Sequence, residues 1–472
     1  MEPRHQPTFG WNSCPAEILY LVFKLLYPAD LQQLCLVNKT FKTFAEPLLY
    51  STIHFTWQEY HQYYSKLDPP PPITQLLRTL LSRPQLAAYI TSLHLDGKAY
   101  AIYETRFKLP RIYIPNAELD RPIAFIRRTV PYSDEWIQKL RDGSIDALIA
   151  LLLSQLPSLR YLYLGRAFTR QSTLIGMVLR SGICEYGTYN NKLPDFRYLR
   201  EVSFLCRKQR DEACDWKTKN TADVLPLFYL PSLQCMSVSI RNPEVWTWPT
   251  DLPVPSKLTF LNLTSIREGQ LGEILAVTQN LKTLRWEWYY DAGVADEFVT
   301  KTIALDQIAS AISHVRDSLT DLTITGNCQP SAAVGDQFQP GLQAVGSLDA
   351  MASFNIRRLQ IPLAFLVGFA QDTTKRLQDV IPRNIEFLTI TDDLAMQNMD
   401  YLEDWPLFEW KDDAILELLQ SWLKEWTICT PNLRRITLSL CWIDMDEWSP
   451  KKRAQLRDLG AESGILLELI DT

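Results

Sequence analysis

Histidine is scarce in this 472-residue chain. Five are present, His5, His54, His61, His94 and His314, and no two stand as H-x-x-x-H or H-E-x-x-H, the spacings that place two imidazoles on one helix face for zinc. General acid–base chemistry therefore has few imidazole candidates. The nine cysteines are an odd number, and none belongs to a C-x-x-C pair. Neither a disulfide framework nor a zinc cluster is expected, which suits a reducing compartment, the cytoplasm or the nucleus.

Long apolar runs are missing too. The longest strongly apolar stretch, Ala147 to Leu153, falls far short of the roughly 18–20 residues that span a bilayer, and the residues before Trp11 lack the apolar core of a signal peptide. No membrane is expected as a partner. Nor is there an excess of positive charge: 48 basic residues stand against 54 acidic ones, a net charge of −6, which argues against nucleic acid as a partner. The densest basic segment, Arg207-Lys208-Gln209-Arg210, runs straight into Asp211 and Glu212 and reads as a solvated loop.

Phosphate-loop, dinucleotide-glycine, G-x-S-x-G and kinase signatures are all absent. The doublets Asp392-Asp393 and Asp412-Asp413 read as helix caps or solvated charge rather than as a metal site. No catalytic residue, metal ligand or cofactor is assigned, and the chain is expected not to be an enzyme.

What is present is a folded composition, 46% hydrophobic and 22% charged, with two kinds of pattern. Residues 14 to 50 read as three short helices. In the first, Glu17 complements the helix dipole and Ile18, Leu19, Val22, Phe23 and Leu26 form an amphipathic stripe, with Pro15 at N1 and a stop at Tyr27-Pro28. The second starts near Asp30 and carries Leu31, Leu34, Cys35, Leu36 and Val37, and Asn38 breaks it. The third, from about Thr40, puts Phe41, Phe44, Ala45 and Leu48 on one face. About forty residues cannot cover so much apolar surface alone. Either the larger body behind them or a partner must do so.

The order Cys14-Pro15-Ala16-Glu17-Ile18-Leu19, Phe23-Lys24-Leu25-Leu26, Ala29-Asp30-Leu31 and Leu36-Val37-Asn38-Lys39-Thr40-Phe41 resembles the F-box pattern L-P-x-E-I-L, I-F-x-x-L, x-D-L and L-V-x-x-x-W. Cys14 and Phe41 depart from its leucine and tryptophan. With the continuation Ala45 to Ile53 and the segment Leu76 to Gly97, the chain resembles filamentous-fungal F-box proteins with degenerate leucine-rich repeats. That resemblance implies binding to the adaptor subunit of an SCF-type ligase, and through it to a cullin. Carried over position by position, it implies adaptor contacts from Pro15, Ile18, Leu19, Phe23, Leu31, Val37 and Phe41, some of which must instead form the module's own core.

The second pattern is a six-residue unit, apolar at its first, fourth and sixth places. It recurs ten times, from Ile90-Leu93-Leu95 through Leu159-Leu162-Leu164, Leu281-Leu284-Trp286 and Ile385-Leu388-Ile390 to Leu433-Ile436-Leu438. The fourth and sixth places share a face under strand periodicity, the L-x-x-L-x-L core of a leucine-rich repeat. Intervals are uneven, and the gap from 93 to 162 leaves room for another unit near Phe107 to Ile114. Helical periodicity precedes several units, as at Ile145 to Leu153 and Ile415 to Leu423, and Gly464 to Leu469 offers a terminal strand. The expected fold is α/β: a short tail (1–12), a three-helix F-box (13–55), a helical linker (56–89) and an irregular leucine-rich-repeat solenoid (90–472).

The expected function is that of a ligase subunit that recognises a protein substrate. The alternative is a non-catalytic repeat scaffold without ligase function. Residues between the buried strand positions would form a hydroxyl-rich, weakly charged floor. Target contacts are sought at Tyr163 and in Arg285-Trp286-Glu287-Trp288-Tyr289-Tyr290, where Trp286 holds a core position and Arg285, Glu287, Trp288, Tyr289 and Tyr290 are the candidates, since arginine and aromatics dominate binding hot spots. The aromatic and acidic stretch Tyr401 to Trp410 is a second, lid-like candidate.

Overall fold

The structure is a computed structural model that describes residues 14–57, 72–97, 111–112, 114–169, 172–185, 193–205, 219–291, 294, 296–329, 341–371, 374–395, 408–440 and 448–471. They form two compact units divided at residue 199.

The first unit opens with three helices, Ala16–Phe23 (α1), Pro28–Val37 (α2) and Lys39–Ser51 (α3). Pro28 takes the first position of α2, so that helix starts two residues before the expected Asp30; the fixed φ of proline is already helical. Asn38 serves as the cap of α3, its Oδ1 accepting the Phe41 N–H at 2.7 Å, which leaves one fewer orphan donor at the helix start. Leu19, Phe23, Leu31, Phe41 and Ala45 form the shared core, with Phe23 and Phe41 edge to face at 5.4 Å.

A first strand forms well before residue 90, inside the segment expected to close the helical module. Thr52–Trp57 (β1) pairs in parallel with Ser92–Gly97 (β2), which pairs with Tyr161–Leu164 (β3). The direct match of Leu93 with Leu162 leaves no place for a strand between β2 and β3. Of the extra unit sought near Phe107 to Ile114, residues 107–110 and 113 lie outside the described residues. Arg111 makes an isolated antiparallel bridge to Ser144, and Ile112 and Ile114 are buried.

The gap is filled by helices. Ile145–Leu153 is buried along its whole length, as a helix apolar on all sides must be. Its one carboxylate, Asp146, accepts the N–H groups of Leu174 and Ile175 at 2.8 and 3.0 Å and so caps the helix Thr173–Ile183. Burial pushes the Asp146 carboxyl up to about 6, against those two donors and Lys139. A carboxyl whose folded pKa is raised binds more protons folded than unfolded. Its contribution to stability is therefore greatest below the ordinary aspartate value of 3.8 and falls as pH rises to about 6, by on the order of 3 kcal/mol. Asp146→Asn is expected to flatten that descent, measurable as urea midpoints at pH 4 and pH 6.5.

In the second unit the strands Glu201–Phe204 (β4), Cys235–Ser239 (β5), Phe260–Thr264 (β6), Thr283–Asp291 (β7), Asp321–Gln329 (β9), Arg358–Pro362 (β11), Phe387–Thr391 (β12), Arg435–Leu440 (β13) and Leu466–Asp471 (β14) pair in parallel in that order. Thr302–Ala304 (β8) and Gln343–Val345 (β10) form a small parallel pair of their own. The fold is thus α/β with parallel strands. All three apolar places of all ten six-residue units are buried to 4% exposure or less, and within this unit the central residues are matched along the sheet, as Met236, Leu261 and Leu284 are. Each strand alone has little to pack on; a matched neighbour supplies the rest of the core.

One buried charge pair ties this unit together. Arg267, 1% exposed, forms a two-pronged bridge with Glu268 at 2.7 and 2.8 Å. Its remaining donors reach the carbonyls of Tyr289, Thr300 and Thr302, while Glu268 Oε1 accepts the Ala304 N–H. The pair thereby joins the end of β7 to the segment that leads through β8.

Candidate functional site

The three-helix module leaves much of its apolar surface outside. A helix turns about 100° per residue, so Leu19 and Phe23 point to the core while Ile18 and Leu21, three residues apart, share another face, and Leu25 follows in the turn just past the helix end. Ile18 is 48% and Leu25 85% exposed, and Leu21 is exposed as well. At the end of α2, Leu36 and Val37 stand in solvent, Val37 at 62%. Surface isoleucines and leucines occur singly on many proteins; a stripe of them is less usual and marks an interaction surface.

The residues carried over from the F-box pattern divide accordingly. Pro15, Ile18 and Val37 are exposed. Leu19, Phe23, Leu31 and Phe41 are buried in the module's own core and, in this conformation, hold the surface up rather than form it. Leu21, Leu25 and Leu36 are exposed residues outside that set; the i, i+3, i+7 spacing from Ile18 signals Leu21 and Leu25, whereas Leu36 stands on the next helix beside Val37.

The aromatic candidates on β7 are buried. This strand pairs with β9 along nine residues, from Thr283–Asp321 to Asp291–Gln329, and its far end is covered on both faces. The Arg267 guanidinium sits 4.4 Å over the Trp288 ring, and Phe365 meets that ring edge to face. Tyr289 and Tyr290 are each 8% exposed, and burial pushes both phenols up. Trp288, Tyr289 and Tyr290 are therefore core residues. Glu287 is half-buried and Arg285 is exposed on the open face, its guanidinium 5.5 Å over Phe260. Tyr163, in the first unit, stacks on His94 at 4.0 Å, and His94 meets His54 at 4.4 Å. Burial, and then the neighbouring His54, hold the His94 imidazole below its ordinary range.

The open face of the second unit carries more charge than a hydroxyl-rich floor. Ser203, Ser237, Asn262, Arg285, Thr323, Gln360, Thr389 and Thr437 do line one row in the expected register. At the strand starts, however, a groove is lined by Thr320, Asp321, Arg357, Arg358, Glu386 and Phe387. Arg358 lies 5.4 Å over the Phe387 ring and 3.4 Å from Asp321. Arg357 and Arg434 each approach Glu386 at 3.9 Å.

Among the described residues no group of three or more His, Cys, Asp or Glu is placed to hold a metal ion, and no helix is long and apolar enough to cross a membrane. Asp393 accepts the Gly326 N–H at 2.8 Å, and Asp412 and Asp413 begin the helix Asp412–Leu423, both paired with Lys452. The basic segment 207–210 and residues 401–407 lie outside the described residues. Trp410, at the end of the lid-like stretch, is buried and donates to the Gly368 carbonyl at 2.9 Å. Comparison with protein-family models gave no match, and comparison with curated proteins gave none either.

Proposed function

We propose that this chain is the substrate-recognition subunit of an SCF-type cullin ubiquitin ligase. Its N-terminal helices act as the F-box that docks the adaptor, and its parallel strands form an irregular leucine-rich-repeat array that holds a protein target. The observation that carries this reading is the exposed stripe Ile18, Leu21 and Leu25, with Leu36 and Val37, on the very module whose residues follow the F-box pattern. Covering these side chains returns roughly 1–2 kcal/mol each, enough in sum to hold a partner subunit after the costs of association.

The chain needs no catalytic group for this role. Holding a target beside an enzyme charged with ubiquitin raises the effective concentration of one for the other. The test is proximity labelling in cells with and without proteasome inhibition. At least one captured protein is expected to accumulate under inhibition, and again when the chain carries Ile18→Glu, Leu25→Glu and Val37→Glu. Captured partners whose abundance stays the same in both cases would instead mark a repeat scaffold without ligase function.

A further inference from the structure

Two repeats of the second unit share one local pattern, asparagine, an aliphatic residue, two arginines and an aliphatic residue, as Asn355-Ile356-Arg357-Arg358-Leu359 and Asn432-Leu433-Arg434-Arg435-Ile436. Between them β12 has Glu386-Phe387 at the matching places. At the starts of β9 to β14, the first strand residue and the one before it thus supply four guanidiniums and two carboxylates, in a chain whose net charge is −6. The four arginine side chains are 59%, 68%, 71% and 46% exposed. Their contacts with Glu386, Asp321 and Glu468 are 3.4–3.9 Å long, too long to be strong charged hydrogen bonds, and such exposed pairs contribute little.

We propose that this lip binds an acidic, extended segment of a protein target, an inference that rests on the ligase reading above. The two arginine doublets stand on alternate strands, so they are about 10 Å apart. An extended chain of polyproline type advances about 9 Å in three residues. Two carboxylates three residues apart therefore meet one doublet each, while the intervening residues cross the Phe387 floor. Stacking on Phe387 restrains the Arg358 guanidinium and leaves its forked donors for a bidentate contact.

The test uses the full chain and a fluorescein-labelled heptapeptide with glutamate at its first, fourth and seventh places, against the same peptide with glutamine. Anisotropy is expected to show at least about tenfold tighter binding of the glutamate peptide, weakened by salt. Arg358→Ala with Arg435→Ala should remove about tenfold of that affinity without changing the melting temperature. Equal binding of both peptides, or no effect of the double substitution, would overturn the proposal. So would a single-stranded RNA that binds more tightly than the peptide and is lost in the same variant. A chain that binds the adaptor and not the peptide contradicts this inference alone, and one that binds the peptide and not the adaptor contradicts the ligase reading alone.

Discussion

Replacing Ile18, Leu25 and Val37 together by glutamate is expected to lower affinity for the ligase adaptor by at least about 100-fold while leaving the melting temperature nearly unchanged. All three are exposed, so the free chain loses little when they become charged, as surface substitutions generally do. In a complex each would bury a carboxylate in apolar surroundings, which costs several kcal/mol in total, and every 1.4 kcal/mol is tenfold in affinity. Titration of adaptor into purified chain measures the effect. The choice of residues matters. Glutamate at Leu19 or Phe23, both 3% exposed, would break the module's core, and a lost interaction would then report unfolding rather than docking.

The second large effect belongs to stability. Arg267→Ala is expected to cost about 3–5 kcal/mol, because it leaves the Glu268 carboxylate buried without its counter-ion and strips three carbonyls of a donor. Against the 5–15 kcal/mol that holds a typical domain, such a loss should appear as a large drop in the urea midpoint. Arg434→Ala, which removes an exposed guanidinium 3.9 Å from Glu386, should shift it by less than about 0.5 kcal/mol. Near-equal shifts in the two variants would mean that Arg267 does not join β7 to the β8 segment as described.

The strand array was legible because its rule is local. Apolar residues at the first, fourth and sixth places need no knowledge of distant chain, and all ten such units are strands with those places buried. Tyr50, Ile53 and Phe55 obey the same spacing, but the strand Thr52–Trp57 follows the helix Lys39–Ser51 with no break, so the helical pattern before it hides its start. The last strand escapes the rule at its first place, where Gly464 takes a left-handed conformation, φ 68°, to end the helix Pro450–Ser463.

The binding surface was harder to read. Periodicity finds the stripe on α1 but does not say which side a neighbouring helix covers; Ile18 and Leu19 differ by one residue and end on opposite sides of the boundary. The aromatic run on β7 misled because its cover comes from far along the chain: Arg267 lies about twenty residues before it and Phe365 far beyond. The arginine doublets were in plain sight, but their significance depends on β11 and β13 flanking β12, a neighbourhood set by the sheet.

Amide hydrogen exchange on the intact chain, with and without the purified adaptor, tests the docking surface most directly. Slowed exchange confined to the helices Ala16–Phe23 and Pro28–Val37 and the turn between them is the expected result. Unchanged exchange in both helices at saturating adaptor would contradict it.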